Sequence, residues 1–151
     1  MYESYVGALN FGIHELGHVV FRPFGEFVMI LGGSLFQCLV PVIAFAMFVK
    51  QGDYFAQAFA FGWLSTNLFS VATYCADARS MLIPLLSIGG GDVYHDWNYI
   101  LDRLGLLRFD HALAFLMRVA AVVSMLVFLG VGSWLVSIMI RTRGDLPRSA
   151  L

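Results

Sequence analysis

Apolar residues run in long blocks along this chain, and the short polar turns between them set the elements. From about Tyr5 to Phe21 the pattern predicts a short helix, too polar at its centre to face lipid and stopped ahead of Pro23, which disfavours helix at Arg22. Positions 27 to 49 carry no charge, enough for a second helix spanning a bilayer with its ~20 residues. Within it Gly32, Gly33 and Ser34 permit close approach by a neighbour, Gln37 lies one turn beyond Gly33, and Pro41 is a candidate kink. Lys50-Gln51-Gly52-Asp53 reads as a polar turn and Phe55 to Ala76 as a third uncharged run of spanning length, so the two runs form a hairpin. After Pro84 comes a Gly89-Gly90-Gly91 hinge, then Asp96 as the cap of a short interfacial helix with an apolar stripe of Trp97, Ile100, Leu101 and Leu104, ended by Gly105. The last span runs from about Ala112 to Ile140, with Arg118 near its start, and a polar tail begins at Arg141. The expectation is an all-α protein, one integral membrane domain over 1–151: a polytopic transmembrane helix bundle of about four membrane helices plus the short interfacial helix.

Composition agrees with that pattern. Hydrophobic residues make up 60% of the 151 and charged residues 13%, against about 45–50% and about 25% in soluble domains. A net charge of −1 offers no broad cationic surface, and no motif for nucleic acid is present, so nucleic acid is not an expected partner. Cys38 and Cys75 sit inside apolar runs, where a thiol behaves as a small hydrophobe, and make neither a disulfide framework nor a zinc knuckle. Met1-Tyr2-Glu3 supplies no cationic region ahead of the first apolar run, so no cleavable signal is expected. Lys50, Arg141, Arg143 and Arg148 balance Arg22, Arg79, Arg103 and Arg108 across the expected membrane, which leaves orientation undetermined.

The chemistry concentrates in His14-Glu15-Leu16-Gly17-His18. Residues four apart share one helix face, so His14 and His18 can present two imidazole nitrogens to one metal ion. Glu15 is rotated by about 100° from His14, which leaves its carboxylate free to act as a base toward water. Two histidines merely hydrogen-bonded inside a bundle would explain the spacing less well, because Glu15 would have no task. On the third helix Thr66, Ser70, Thr73 and Asp77 recur along one face beside Asn67, a polar seam that ends in a carboxylate. Hydroxyls in membrane helices often only bond the carbonyl one turn back, so Asp77 carries the weight of that seam. His95 and Asp96 are either a cap at the membrane boundary or further donors.

Three pieces in this order resemble the site-2 protease family of intramembrane zinc metalloproteases. The first is the His14-Glu15-Leu16-Gly17-His18 run; the second is Leu31-Gly32-Gly33-Ser34-Leu35-Phe36-Gln37, similar to that family's Gly-Pro-x-x-Asn segment with Ser34 for Pro and Gln37 for Asn; the third is Asn67-Leu68-Phe69 followed by Asp77, similar to its Asn-x-x-Pro…Leu-Asp-Gly stretch, here without the prolines and with Ala78 for Gly. The resemblance covers roughly Gly7 to Arg79. It implies a three-helix core in which His14, His18 and Asp77 hold zinc, Glu15 activates water, and the substrates are membrane-embedded peptide segments.

Independently of family, an unpaired ionisable group in hydrocarbon costs several kcal/mol, so His14, Glu15, His18 and Asp77 at membrane depth are expected to gather around a cation. The leading expectation is a zinc metallopeptidase in a multi-pass protein in contact with lipid, with Asn67 and Gln37 as candidate substrate-positioning residues. For the third ligand Asp77 is preferred, with His95 or Asp96 as the alternatives. The competing expectation is a non-catalytic membrane subunit of a larger complex, its histidines binding a structural metal, haem or pigment.

Overall fold

The computed structural model describes residues 5–83 and 95–144, so the Gly89-Gly90-Gly91 hinge and the tail from Asp145 lie outside the described residues. Among the described residues five helices follow in order: α1 (Tyr5–Phe21), α2 (Glu26–Gln51), α3 (Tyr54–Ala76), α4 (Asp96–Arg103) and α5 (Asp110–Gly144), with 3-10 turns at Arg22–Phe24 and Leu107–Phe109. No strand occurs among the described residues, and the all-α expectation holds. α1 and α3 take their predicted limits to within one residue, while α5 begins at Asp110, two residues earlier than expected.

Local chemistry sets these limits. Pro23 sits in the first turn of the 3-10 segment that closes α1, where its missing N–H is no loss. Gly52 ends α2 with φ +71°, a left-handed conformation that suits glycine, and the N–H groups of Gly52 and Asp53 bond the Val49 and Phe48 carbonyls at 3.2 and 3.1 Å. Asp53 then caps α3, its carboxylate accepting the Ala56 N–H at 2.9 Å. The expected hairpin is thus built by one glycine and one aspartate. α2 continues through the buried Pro41 as a single helix.

α1 packs on α2, α2 on α3, and α3 along α5, while α4 lies across α2 and α3. Small residues set the α1–α2 distance: a Cβ on Gly17 would run into the Gly32 carbonyl oxygen, and one on Gly32 would lie 2.6 Å from Phe21 Cβ. Side chains clasp α3 to α5, with Ser65 Oγ donating to the Ala121 carbonyl and Ser124 Oγ to the Phe61 carbonyl, each at 2.7 Å. α4 is fixed at both flanks, Trp97 Nε1 donating to Ser34 Oγ at 3.1 Å and Asn98 Nδ2 to the Ala78 carbonyl at 2.8 Å. Trp97 and Leu101 of α4 complete a buried cluster with Val71, Ala72, Cys75, Ala78 and Ala114. Trp97, Ile100 and Leu101 of the predicted apolar stripe therefore face the bundle, whereas Leu104 is exposed.

Among the described residues, two stretches are long and apolar enough to cross a membrane, Glu26–Gln51 and Leu107–Thr142. They are two of the four spans that the sequence leads one to expect. α1, at 17 residues, is short, and Ser65, Thr66, Asn67, Ser70 and Thr73 dilute the apolar content of α3. Only 33% of the most apolar window of α2, and 17% of that of the last helix, is buried inside the molecule. An apolar surface that open is unlike the core helix of a soluble domain, which lies mostly buried.

One local expectation is corrected. The cap of α4 is His95 rather than Asp96, because His95 Nδ1 accepts the Asn98 N–H at 3.2 Å. The hydroxyls of the α3 seam behave as hydroxyls in membrane helices often do: Thr66 and Thr73 donate to the Trp63 and Phe69 carbonyls of their own helix at 2.8 and 2.9 Å, and Ser70 and Thr73 are exposed.

Candidate metal centre

His14 is buried and His18 half-buried on the face of α1 that meets α2, their rings 4.8 Å apart between centroids and nearly perpendicular. Each ring is held through Nδ1. His18 Nδ1 lies 2.9 Å from the Met29 carbonyl oxygen, which can only accept, so the proton is on Nδ1 and a neutral ring turns an Nε2 lone pair inward. His14 Nδ1 lies 3.1 Å from Gln37 Oε1, which fixes the second ring in the same sense. Anchoring of Nδ1 to a carbonyl oxygen with Nε2 left free is the arrangement that orients metal-binding histidines.

Both Nε2 atoms converge on one oxygen. Asp96 Oδ2 lies 2.9 Å from His14 Nε2 and 3.3 Å from His18 Nε2. Lone pairs on two nitrogens and a carboxylate would repel at such distances, so the cluster is favourable only with a cation among them, a proton or a metal ion. Burial acts to raise the Asp96 carboxyl, but where the cation is a proton on the imidazoles rather than a metal ion, the hydrogen bonds from His14 and His18 and their charge hold it below the usual carboxylate range.

His14, Glu15 and His18 could hold a metal ion: each offers a ligand atom, and these atoms lie within 4.8 Å of one another, with Glu15 half-buried beside the two rings. α2 keeps the space beside them open at Gly33. A Cβ there would lie 2.5 Å from His18 Nε2 and 2.7 Å from His14 Nε2, so any other residue would push into the room next to both ligand nitrogens. With no side chain from α2 pressed against the two nitrogens, and with two imidazoles and carboxylates gathered there, the residues present fit a small divalent ion.

Asp77, the preferred third ligand from sequence, is engaged elsewhere. Its Oδ1 accepts from Ser80 Oγ at 2.7 Å and from the Leu82 N–H at 3.0 Å, and its Oδ2 accepts from the Ile83 N–H at 2.9 Å and faces His95 Nε2 at 3.3 Å. Burial acts to raise this carboxyl, but those hydrogen bonds prevail and hold it down to about 2. His95 has both ring nitrogens in use, Nδ1 as the α4 cap and Nε2 toward Asp77, which leaves it no lone pair for a metal. The carboxylate brought to the histidines is that of Asp96. Gln37 is buried and orients His14, and Asn67 is fully buried with Nδ2 on the Trp63 carbonyl at 2.9 Å and Oδ1 without a partner among the described residues.

Sequence reasoning missed several supporting groups. Tyr74 accepts the Asp96 N–H on its hydroxyl oxygen at 3.0 Å, and its ring lies 4.4 Å from that of His95 and 6.0 Å from that of His14. Asn10, one turn before His14, is buried and accepts from Trp63 Nε1 at 2.9 Å, joining α1 to α3. A tyrosine or asparagine in an apolar run was the signal available, since each brings polar atoms that need partners. No family model matches this chain, and neither does any curated protein or solved structure.

Proposed function

We propose that this protein is a multi-pass membrane zinc metallopeptidase that hydrolyses peptide bonds in membrane-embedded segments. The observation that carries the reading is the convergence of His14 Nε2, His18 Nε2 and Asp96 Oδ2, with each imidazole anchored through Nδ1 and Gly33 holding the adjacent space open. Two imidazoles and one carboxylate are a donor set that zinc favours, and three protein ligands leave a coordination position for the reaction. Bound there, zinc would polarise a peptide carbonyl and make water a nucleophile near neutral pH.

The chain's own residues do the rest. Glu15, next to both rings and not hydrogen-bonded to either, takes the proton from the attacking water and delivers it to the leaving amide nitrogen. Met29 and Gln37 hold the imidazoles in the tautomer that presents Nε2. In this reading α1 and α3 accompany α2 and α5 in the bilayer, and α4 lies at its boundary. Substrates reach the site as apolar segments in the same membrane. The close packing of Gly33 against both Nε2 atoms, which even a Cβ would disturb, favours an ion over the ring system of haem or a pigment.

The deciding experiment compares purified wild type with Glu15→Gln for zinc content and for cleavage of a panel of transmembrane peptides in detergent or bilayers. Zinc in both and cleavage by the wild type alone is expected. Equal processing by both, or by neither, would transfer the case to a non-catalytic metal-binding subunit.

A further inference from the structure

We propose that Asp77 and His95 are positioning residues, a latch between the end of α3 and the start of α4 that delivers Asp96 to the two histidines. The inference rests on the reading of Asp96 as a metal ligand. Its basis is the way α4 is hung. His95 Nδ1 accepts the Asn98 N–H and so starts the helix, which leaves Nε2–H to donate to Asp77 Oδ2 at 3.3 Å. Asp77 is itself set by the Ser80 hydroxyl and the Leu82 and Ile83 N–H groups, so it is a fixed acceptor on the α3 side.

Next to this contact, Asn98 Nδ2 bonds the Ala78 carbonyl at 2.8 Å and the Tyr74 hydroxyl receives the Asp96 N–H at 3.0 Å. On the far side of Asp96, Trp97 Nε1 is tied to Ser34 Oγ on α2. Asp96 therefore stands between two clamped neighbours, and its short side chain has few rotamers with which to reach both Nε2 atoms. α4 has only eight residues, too short to hold its place by helix formation alone. Loss of the His95 clamp frees the end of α4 that carries the carboxylate.

Zinc titration against a competing chelator tests the latch in metal-stripped wild type, Asp77→Ala, His95→Ala, Asp96→Ala and the Asp77→Ala/Asp96→Ala double variant. Asp77→Ala and His95→Ala are each expected to weaken zinc by about 10–100-fold. Asp77→Ala is expected to add no loss on top of Asp96→Ala, because it acts through Asp96. Cobalt(II) in place of zinc gives a second readout: the visible band of Asp77→Ala should move toward that of Asp96→Ala.

Unchanged zinc affinity in Asp77→Ala, or losses that add in the double variant, would overturn the latch, the latter because Asp77 would then act on the metal separately. Should Asp77→Ala fail to fold, His95→Ala, which leaves the Asp77 turn to Leu82 and Ile83 in place, takes its place in the same scheme, singly and combined with Asp96→Ala. A wild type that takes up no zinc would overturn the metal reading instead. Hydrogen exchange over 96–103 then decides the latch by itself: faster exchange in Asp77→Ala with α1 and α2 unchanged supports it, and wild-type protection of α4 refutes it.

Discussion

Asp96 places one carboxylate oxygen 2.9 Å from His14 Nε2 across 82 positions of sequence. The same oxygen is 3.3 Å from His18 Nε2, so a single atom of α4 answers both histidines of α1. A third donor from a separate element is what turns two helical histidines into a site that can close on an ion.

Metal content tests the proposed function. Wild type should carry about one zinc per chain, and His14→Ala or His18→Ala should lose it. Asp96→Ala should weaken zinc by more than the about 10–100-fold expected for residues outside the ligand set. Elemental analysis after purification, followed by titration, measures both. Full zinc retention in His14→Ala would mean that the histidines serve only the packing of α1.

Gly33→Ala tests the open space. Its Cβ would lie 2.5–2.7 Å from ring atoms of His14 and His18, so the rings must move off their anchors or α2 must withdraw. Overpacking of this kind costs about 1–3 kcal/mol, and zinc binding should fall with it. Gly32→Ala is the control, because its Cβ would meet Phe21, 2.6 Å away, and not the histidines. That variant should lose stability and keep its affinity for zinc; equal zinc loss in both would assign the effect to helix spacing.

Much of this was legible in the sequence because it is local. Uncharged runs, Pro23, Gly52 and Asp53 place α1, α2 and α3, since each acts within a turn or two of itself. The i, i+4 histidines are local as well. Asp96 was harder to prefer, because nothing in its neighbourhood records that α4 docks beside α1, and the choice between Asp77 and Asp96 depends on tertiary contacts. Asp77 drew attention as the end of a polar seam, yet Thr66 and Thr73 bond their own helix and Asp77 closes the turn that leaves it. Met29 was illegible in principle, since it contributes a backbone carbonyl that every residue possesses.

Gln37→Leu examines the anchor of His14. The substitution keeps bulk but leaves the His14 Nδ1–H without its acceptor in a buried place, so the ring is no longer held with Nε2 inward. Zinc affinity should drop by about 10–100-fold. Gln37→Glu, which retains an acceptor oxygen at that position, should bind zinc more tightly than Gln37→Leu; indistinguishable affinities in the two variants would remove Gln37 from the site.

Acid sensitivity of the α3–α4 junction is set by Asp77. Its carboxyl is held down to about 2 in the folded protein by the Ile83, Ser80, Leu82 and His95 hydrogen bonds acting against burial, whereas an unfolded aspartate titrates near about 3.9. A depressed folded value means that the unfolded chain binds the proton first as pH falls. The stabilisation by the ionised carboxylate is therefore fully present above about pH 4, declines from there, and is gone once pH has passed below about 2. Asp77→Asn carries no such carboxylate, so metal-stripped wild type should melt above Asp77→Asn at neutral pH, and the gap should close between about pH 4 and about pH 2. Thermal melts of the two proteins in the same detergent across that range measure it. A gap that stays constant down to pH 2 would mean that the Asp77 contacts do not depend on its charge, and a gap that closes already between pH 7 and 5 would assign the effect to a histidine rather than to Asp77.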